Sequence, residues 1–114
     1  MIVTVFRSRL RDDGTAAYLE LAPQMAALAK SMPGYRSHKV FVAEDGERVT
    51  IVEFEDEATQ RNWSLNAAHV AAKKRGREAF YAEYRLQVCQ LLRESQFQTQ
   101  PAAVSAAAGS SAES

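Results

Sequence analysis

The tripeptide Glu44-Asp45-Gly46 stands between two stretches that alternate apolar and polar residues, Tyr35 to Ala43 and Glu47 to Glu55. Asp-Gly supplies the backbone angles that a tight turn between antiparallel strands demands, so the segment reads as a β-hairpin. In the second run Val49 and Ile51 point one way, Val52 and Phe54 the other. A two-stranded hairpin is marginal on its own in water, so its flanks decide the fold.

Upstream, residues 2–10 are rich in β-branched residues and Phe, as a strand requires. Ile2, Thr4, Phe6, Ser8 and Leu10 share one face; Val3, Val5, Arg7 and Arg9 share the other. Asp12-Asp13-Gly14-Thr15 carries turn and N-cap chemistry. Tyr18, Leu21, Met25, Leu28 and Met32 then recur at a helical period. Pro23 interrupts it, and a bend is expected over 19–23, because a mid-helix proline removes a backbone donor. Pro33-Gly34 ends the helix.

Downstream, Asp56-Glu57-Ala58 opens a second helix with acids in its first turn. Helix-compatible residues continue to about Lys74, with Gly76 as the stop. Phe80 to Leu92 alternates as a long last strand: Phe80, Ala82, Tyr84, Leu86 and Val88 on one side, Glu83, Arg85 and Gln87 on the other, with Tyr81 on the polar side. Residues 95–114 are dominated by Ala and Ser and lack apolar periodicity, which predicts a disordered tail behind a domain over 1–94.

The order β-α-β-β-α-β is the ferredoxin-like split βαβ arrangement, an α+β fold whose four-stranded antiparallel sheet carries both helices on one face. The opposite face would hold Val3, Val5, Val49 and Ile51, too apolar to leave wet. Two sheets paired in a homodimer are the simplest cover.

Composition narrows the function. Of 114 residues, 14 are Lys or Arg and 14 Asp or Glu, so the formal net charge is zero. Nucleic-acid and membrane-surface binders rely on cationic excess, and neither partner is expected. Cys89 is the single cysteine, which excludes an internal disulfide and a cysteine metal cluster. The N-terminal run is too short and too alternating for a signal peptide, and no run approaches the ~18 apolar residues of a membrane span. The expected setting is cytoplasmic. No acidic or Cys cluster stands at metal-ligand spacing, so no metal is expected.

The chemistry-bearing stretch is Asn62 to Arg85. Asn62, Asn66, His69 and Lys73 would form one polar stripe if the helix is continuous. They read either as a solvated helix face or as a pocket wall in which amides hold a phenolic oxygen and His69 acts as base. Trp63, with Ala67 and Val70, makes the apolar face: a core residue, and at a cavity edge a plane for stacking an aromatic. Arg85 on the last strand is either a partner of Glu53 or Glu83 or a stabiliser of an anion. His38 falls opposite in parity to Tyr35.

Met32-Pro33-Gly34-Tyr35, Ala43 to Arg48, Val52-Glu53-Phe54-Glu55, Trp63 with His69, and Arg75-Gly76-Arg77-Glu78 leading to Tyr81, Tyr84 and Arg85 together resemble the antibiotic biosynthesis monooxygenase superfamily. The resemblance covers about residues 1–94. It implies a dimeric α+β barrel and monooxygenation of an electron-rich aromatic or quinol by dioxygen with no cofactor, the substrate supplying the electrons. It implies a pocket between helices and sheet, with Asn62, Trp63, His69 and Arg85 catalytic and Tyr35, Asn66 and Tyr81 holding substrate. Two other readings follow from the same fold: a non-catalytic or stress-associated ligand-binding dimer, and the haem-degrading branch. That branch places Asn, Trp and His where this chain has Arg7, Trp63 and Lys73; only the Trp matches, and His69 lies one turn from Lys73.

Overall fold

The computed structural model describes residues 1–99. The chain forms β1 (Ile2–Leu10), a 3-10 turn (Asp12–Gly14), α1 (Thr15–Ser31), β2 (Tyr35–Val42), β3 (Arg48–Phe54), α2 (Glu57–Leu65), α3 (Ala67–Arg75), a π-helical turn (Gly76–Phe80) and β4 (Tyr81–Gln90). The sheet order is β2-β3-β1-β4 with every neighbouring pair antiparallel, the ferredoxin-like order expected from the pattern. Residues 95–99 carry no helix or strand, and the rest of the expected tail lies outside the described residues.

Burial separates the two faces of β1. Ile2, Thr4 and Ser8 are buried under the helices, in register with Phe54, Val52 and Arg48 of β3. Val3, Val5 and Arg7 face away, opposite Glu53, Ile51 and Val49. The core gathers Phe54, Trp63 and Ala29, with Leu28, Met32, Tyr35 and Val52 packed around them. Helix α1 runs through Pro23 without interruption, where a bend was expected; Pro23 is exposed one turn beyond exposed Leu19, where water can serve the carbonyl left without its donor. Gly34 takes φ +84° after the helix and lets the chain turn into β2. Asp56 caps α2: Thr59 N–H donates to its carboxylate at 2.9 Å, and Asp56 N–H donates to Thr59 Oγ1 at 3.3 Å.

Three local features depart from the plain alternation read in the sequence. The register of β2 on β3 shifts between Tyr35 and Ser37, so Tyr35 and His38 share the helix-facing side instead of opposing one another. The register of β4 on β1 shifts between Arg9 and Leu10, so Tyr81 joins Tyr84 on the helix-facing side rather than the polar one. An extra residue in one strand flips the parity of everything beyond it. The third is the second helix, which breaks at Asn66 (φ −57°, ψ 132°) into α2 and α3.

The helix layer does not reach the outer strands fully. Leu86 and Val88 of β4, in register with Phe6 and Thr4 on the helix-facing side, are about half exposed. An apolar floor therefore reaches solvent along β1 and β4.

Candidate active site

Two groups of side chains occupy the layer between helices and sheet. At the Phe54 end, the His69 imidazole stacks on the Trp63 indole with centroids 3.9 Å apart and planes 13° from parallel. His69 Nδ1 lies 3.0 Å from the Trp63 carbonyl oxygen. A carbonyl only accepts, so Nδ1 carries the proton and Nε2 presents its lone pair. Burial pushes the His69 pKa below its ordinary value; the Trp63 carbonyl opposes this and the Lys73 charge adds to it. The half-buried imidazole is thus neutral at pH 7, with a basic nitrogen that no described residue engages.

The break at Asn66 makes this stack. Asn66 Oδ1 accepts from Ala68 N–H at 2.9 Å and His69 N–H at 3.4 Å, capping α3, and Nδ2 donates to Met32 Sδ at 3.8 Å. Asn66 is therefore occupied with the backbone. Lys73 Nζ donates to Ser64 O at 3.0 Å and Ser64 Oγ at 3.3 Å, tying α3 back to α2. The polar stripe Asn62-Asn66-His69-Lys73 does not form as one face. Asn62 is exposed and makes no side-chain hydrogen bond among the described residues. Trp63 is 8% exposed, and one face is covered by His69, so it orients the imidazole rather than offering a free plane. Tyr35 packs edge-on to Phe54 at this end, and its hydroxyl is 3.1 Å from His38 Nδ1.

At the opposite end Tyr81 stands among Phe6 at 5.4 Å, Tyr84 at 5.7 Å and Tyr18 at 6.0 Å, measured between ring centroids. The π-helical turn delivers it there, and Gly76 leaves the space: a Cβ at Gly76 would stand 2.5 Å from Tyr81 Cε2. Burial pushes the Tyr81 phenol well above its ordinary range; neighbouring Tyr18 adds to this and Arg48 pulls it back. The Arg48 guanidinium lies 5.2 Å from the Tyr18 ring centroid, and its Nε is buried without a partner. Thr4 Oγ1, between the two ends, is likewise buried and unpartnered. Neither Arg48 nor Thr4 was singled out in the sequence. The available signal was parity, since Arg48 shares its face with Val52 and Phe54.

The family model of antibiotic biosynthesis monooxygenases matches residues 1–75, more than half of the chain. The chain belongs to this family. Among curated relatives, YqjZ, an uncharacterized protein of Bacillus subtilis, is 28% identical over 94 residues, 82% of each chain. Among solved structures, Rv0793 of Mycobacterium tuberculosis superposes with a TM-score of 0.74 at 18% identity, over 82% of this chain and 96% of that one. SnoaB, a cofactor-independent oxygenase from Streptomyces nogalater, superposes with a TM-score of 0.63 at 17% identity, over 80% and 94%. These likenesses establish the fold, the one expected of antibiotic biosynthesis monooxygenases.

Within this fold Arg85 is separated from the other candidates. It lies on the face away from the helices, directly opposite Arg7. The two carboxylates expected as its partners are engaged elsewhere: Glu83 lies 3.5 Å from Arg9, and Glu53 accepts from Ser37 at 2.7 Å. Arg7 is held by Glu47 through two contacts of 2.9 and 3.1 Å. A shallow hollow of about 190 Å³, lined by Arg7, Glu47, Glu83 and Arg85 among others, opens on this face. Among the described residues, no three His, Cys, Asp or Glu side chains converge as a metal site would require, and no helix is long and apolar enough to cross a membrane.

Proposed function

We propose that this family member is a monooxygenase that oxidises an electron-rich phenol, enol or quinol with dioxygen and needs no added cofactor. The observation that carries the reading is the fixed tautomer of His69, with Nδ1–H given to the Trp63 carbonyl and Nε2 left as an unengaged base. A general base must be neutral at working pH and held in one orientation, and the burial and the stack on Trp63 supply both.

In this mechanism Nε2 takes the acidic proton of the substrate. The resulting phenolate or enolate passes one electron to dioxygen, and radical and superoxide join as a carbon-bound peroxide. The imidazolium returns its proton to the peroxide, and removal of the remaining proton on that carbon breaks the O–O bond and releases hydroxide, so in an anthrone a CH2 becomes a carbonyl, one oxygen atom is retained and the other leaves as water. The apolar floor of Leu86 and Val88 with Phe6 beside it suits an aromatic ligand. Tyr81 contributes a hydroxyl donor, and Tyr35 closes the Phe54 end. We place Asn66 and Trp63 behind His69 as positioning residues; Asn62 makes no hydrogen bond to it among the described residues, and Arg85 lies on the opposite face of the sheet.

Oxygen consumption by the full chain against anthrones, hydroquinones and flavonols tests the reading. One class should give saturable uptake, and His69→Ala should lower kcat by roughly 10²–10⁴, the worth of a positioned general base. Undiminished turnover in His69→Ala would overturn the assignment. Absence of uptake with all three classes would refute the oxygenase and leave a ligand-binding pocket.

A further inference from the structure

We propose that Arg48, with the Tyr81 hydroxyl, receives a carboxylate carried by the aromatic ligand at the end of the helix–sheet layer remote from His69. The assignment rests on the reading that a small aromatic enters this layer. Arg48 stands six positions before Phe54 on β3, roughly 20 Å along the strand.

Charge accounting singles out Arg48. Arg7 is neutralised by Glu47, Arg9 by Asp45 and Glu83, and Arg11 by Asp13. Arg48 has no carboxylate within ion-pair distance among the described residues, although it faces the helices, and its Nε is shut off from water with nothing to donate to. Arg85 also lacks an ion pair, but it is exposed and hydrated. A cation with a buried, unsatisfied donor is unfavourable until an anion meets it. What surrounds it is aromatic: Tyr18 lies under the guanidinium, and Tyr18 in turn contacts Tyr81. The Tyr81 hydroxyl makes no hydrogen bond among the described residues, and burial keeps it protonated, so it can add a second donor. Two donors, no competing carboxylate and flat walls define a site for an aromatic anion rather than for a cation or a neutral ring. The missing side chain of Gly76 is what lets the Tyr81 ring take this position.

The test is isothermal titration calorimetry of the full chain with 2-naphthoate and with its uncharged isostere 2-naphthamide. The naphthoate should bind tighter by about tenfold or more, the scale of one charge-assisted contact. Arg48→Met keeps an unbranched stem over Tyr18 and should bring the ratio to about one; Tyr81→Phe should narrow it. His69→Ala should leave the ratio unchanged. Equal affinities in the wild type, an unchanged ratio in Arg48→Met, or no binding of either probe at millimolar concentration would overturn the proposal. Should Arg48→Met fail to fold, Tyr81→Phe decides, and an unchanged ratio there overturns it. A persistent ratio in a protein that consumes no oxygen would refute the oxygenase while leaving the anion site standing.

Discussion

Replacing Asn66 by Ala removes the acceptor that Ala68 N–H and His69 N–H share at the start of α3. Two backbone donors at a helix N-terminus then lose their side-chain partner, which costs about 1 kcal/mol, within a range of roughly 0.5–2. The contact of Nδ2 with Met32 Sδ is long and weak and adds little. For a fold of about 90 residues, 1 kcal/mol lowers Tm by roughly 4–8 °C. Asn66→Asp keeps the acceptor and places a negative charge at a helix N-terminus, so it should match or exceed the wild type. Asn66→Gly should lose only a few tenths of a kcal/mol. The series Asp, Asn, Gly, Ala, measured by thermal circular dichroism, therefore has a fixed order. Alanine also removes the residue that interrupts a segment otherwise good for helix, and a fused α2–α3 would carry His69 off Trp63. Oxygen uptake should then fall in Asn66→Ala by more than its lost stability explains. An alanine variant as stable and as active as the wild type would refute the view that Asn66 maintains the break and, through it, the base.

Two further predictions concern pH and assembly. Because the folded-state pKa of His69 is lowered, the unfolded chain takes up the proton first: stability is full above the unfolded value of about 6.5, falls as pH drops below it, and levels once the folded imidazole is protonated. The difference in unfolding free energy between wild type and His69→Gln should vanish in slope above pH 7 and reappear below 6.5, and activity should fall only below pH 6.5; a loss of activity centred above that value refutes the base assignment. For assembly, we propose that a second copy covers the face carrying Val3, Val5, Val49 and Ile51. Sedimentation velocity should show a two-chain species that Ile51→Lys dissociates, and a wild type sedimenting as a single chain refutes it.

Much of the fold was legible because the two periods differ. Alternation marked β1, β3 and the hairpin around Asp45-Gly46, and the spacing of Tyr18, Leu21, Met25 and Leu28 marked α1. The bulges were not legible. No residue between Tyr35 and Ser37, or near Ala82, announces an extra position, yet each moves a candidate residue across the sheet: Tyr35 to the side of His38, Tyr81 to the side of Tyr84. The break at Asn66 had a signal, since Asn favours N-caps, but the Ala-rich residues after it continue a helix equally well on local propensity. On one continuous helix Trp63 and His69 would fall on different faces, and the break turns them into a stacked pair. The π-helical turn at 76–80 replaces the expected simple stop at Gly76 and sets where Tyr81 lands.

The arginines show why residue type alone misplaces a site. Arg85 looked suited to stabilise an anion because it sits on the last strand, where the family resemblance implies a catalytic arginine. In the fold it is exposed on the face away from the helices, where water already solvates it and an added anion gains little. Arg48 stood out only as one residue of the hairpin's second run. As the first residue of β3, its even parity aims it under α1, where Tyr18 and the sheet exclude water from Nε. The same Coulomb attraction is worth several times more there than at a hydrated surface. For a carboxylate carried by the ligand, the physics favours Arg48 over Arg85. Arg85→Leu should therefore leave the naphthoate preference intact under the conditions in which Arg48→Met abolishes it.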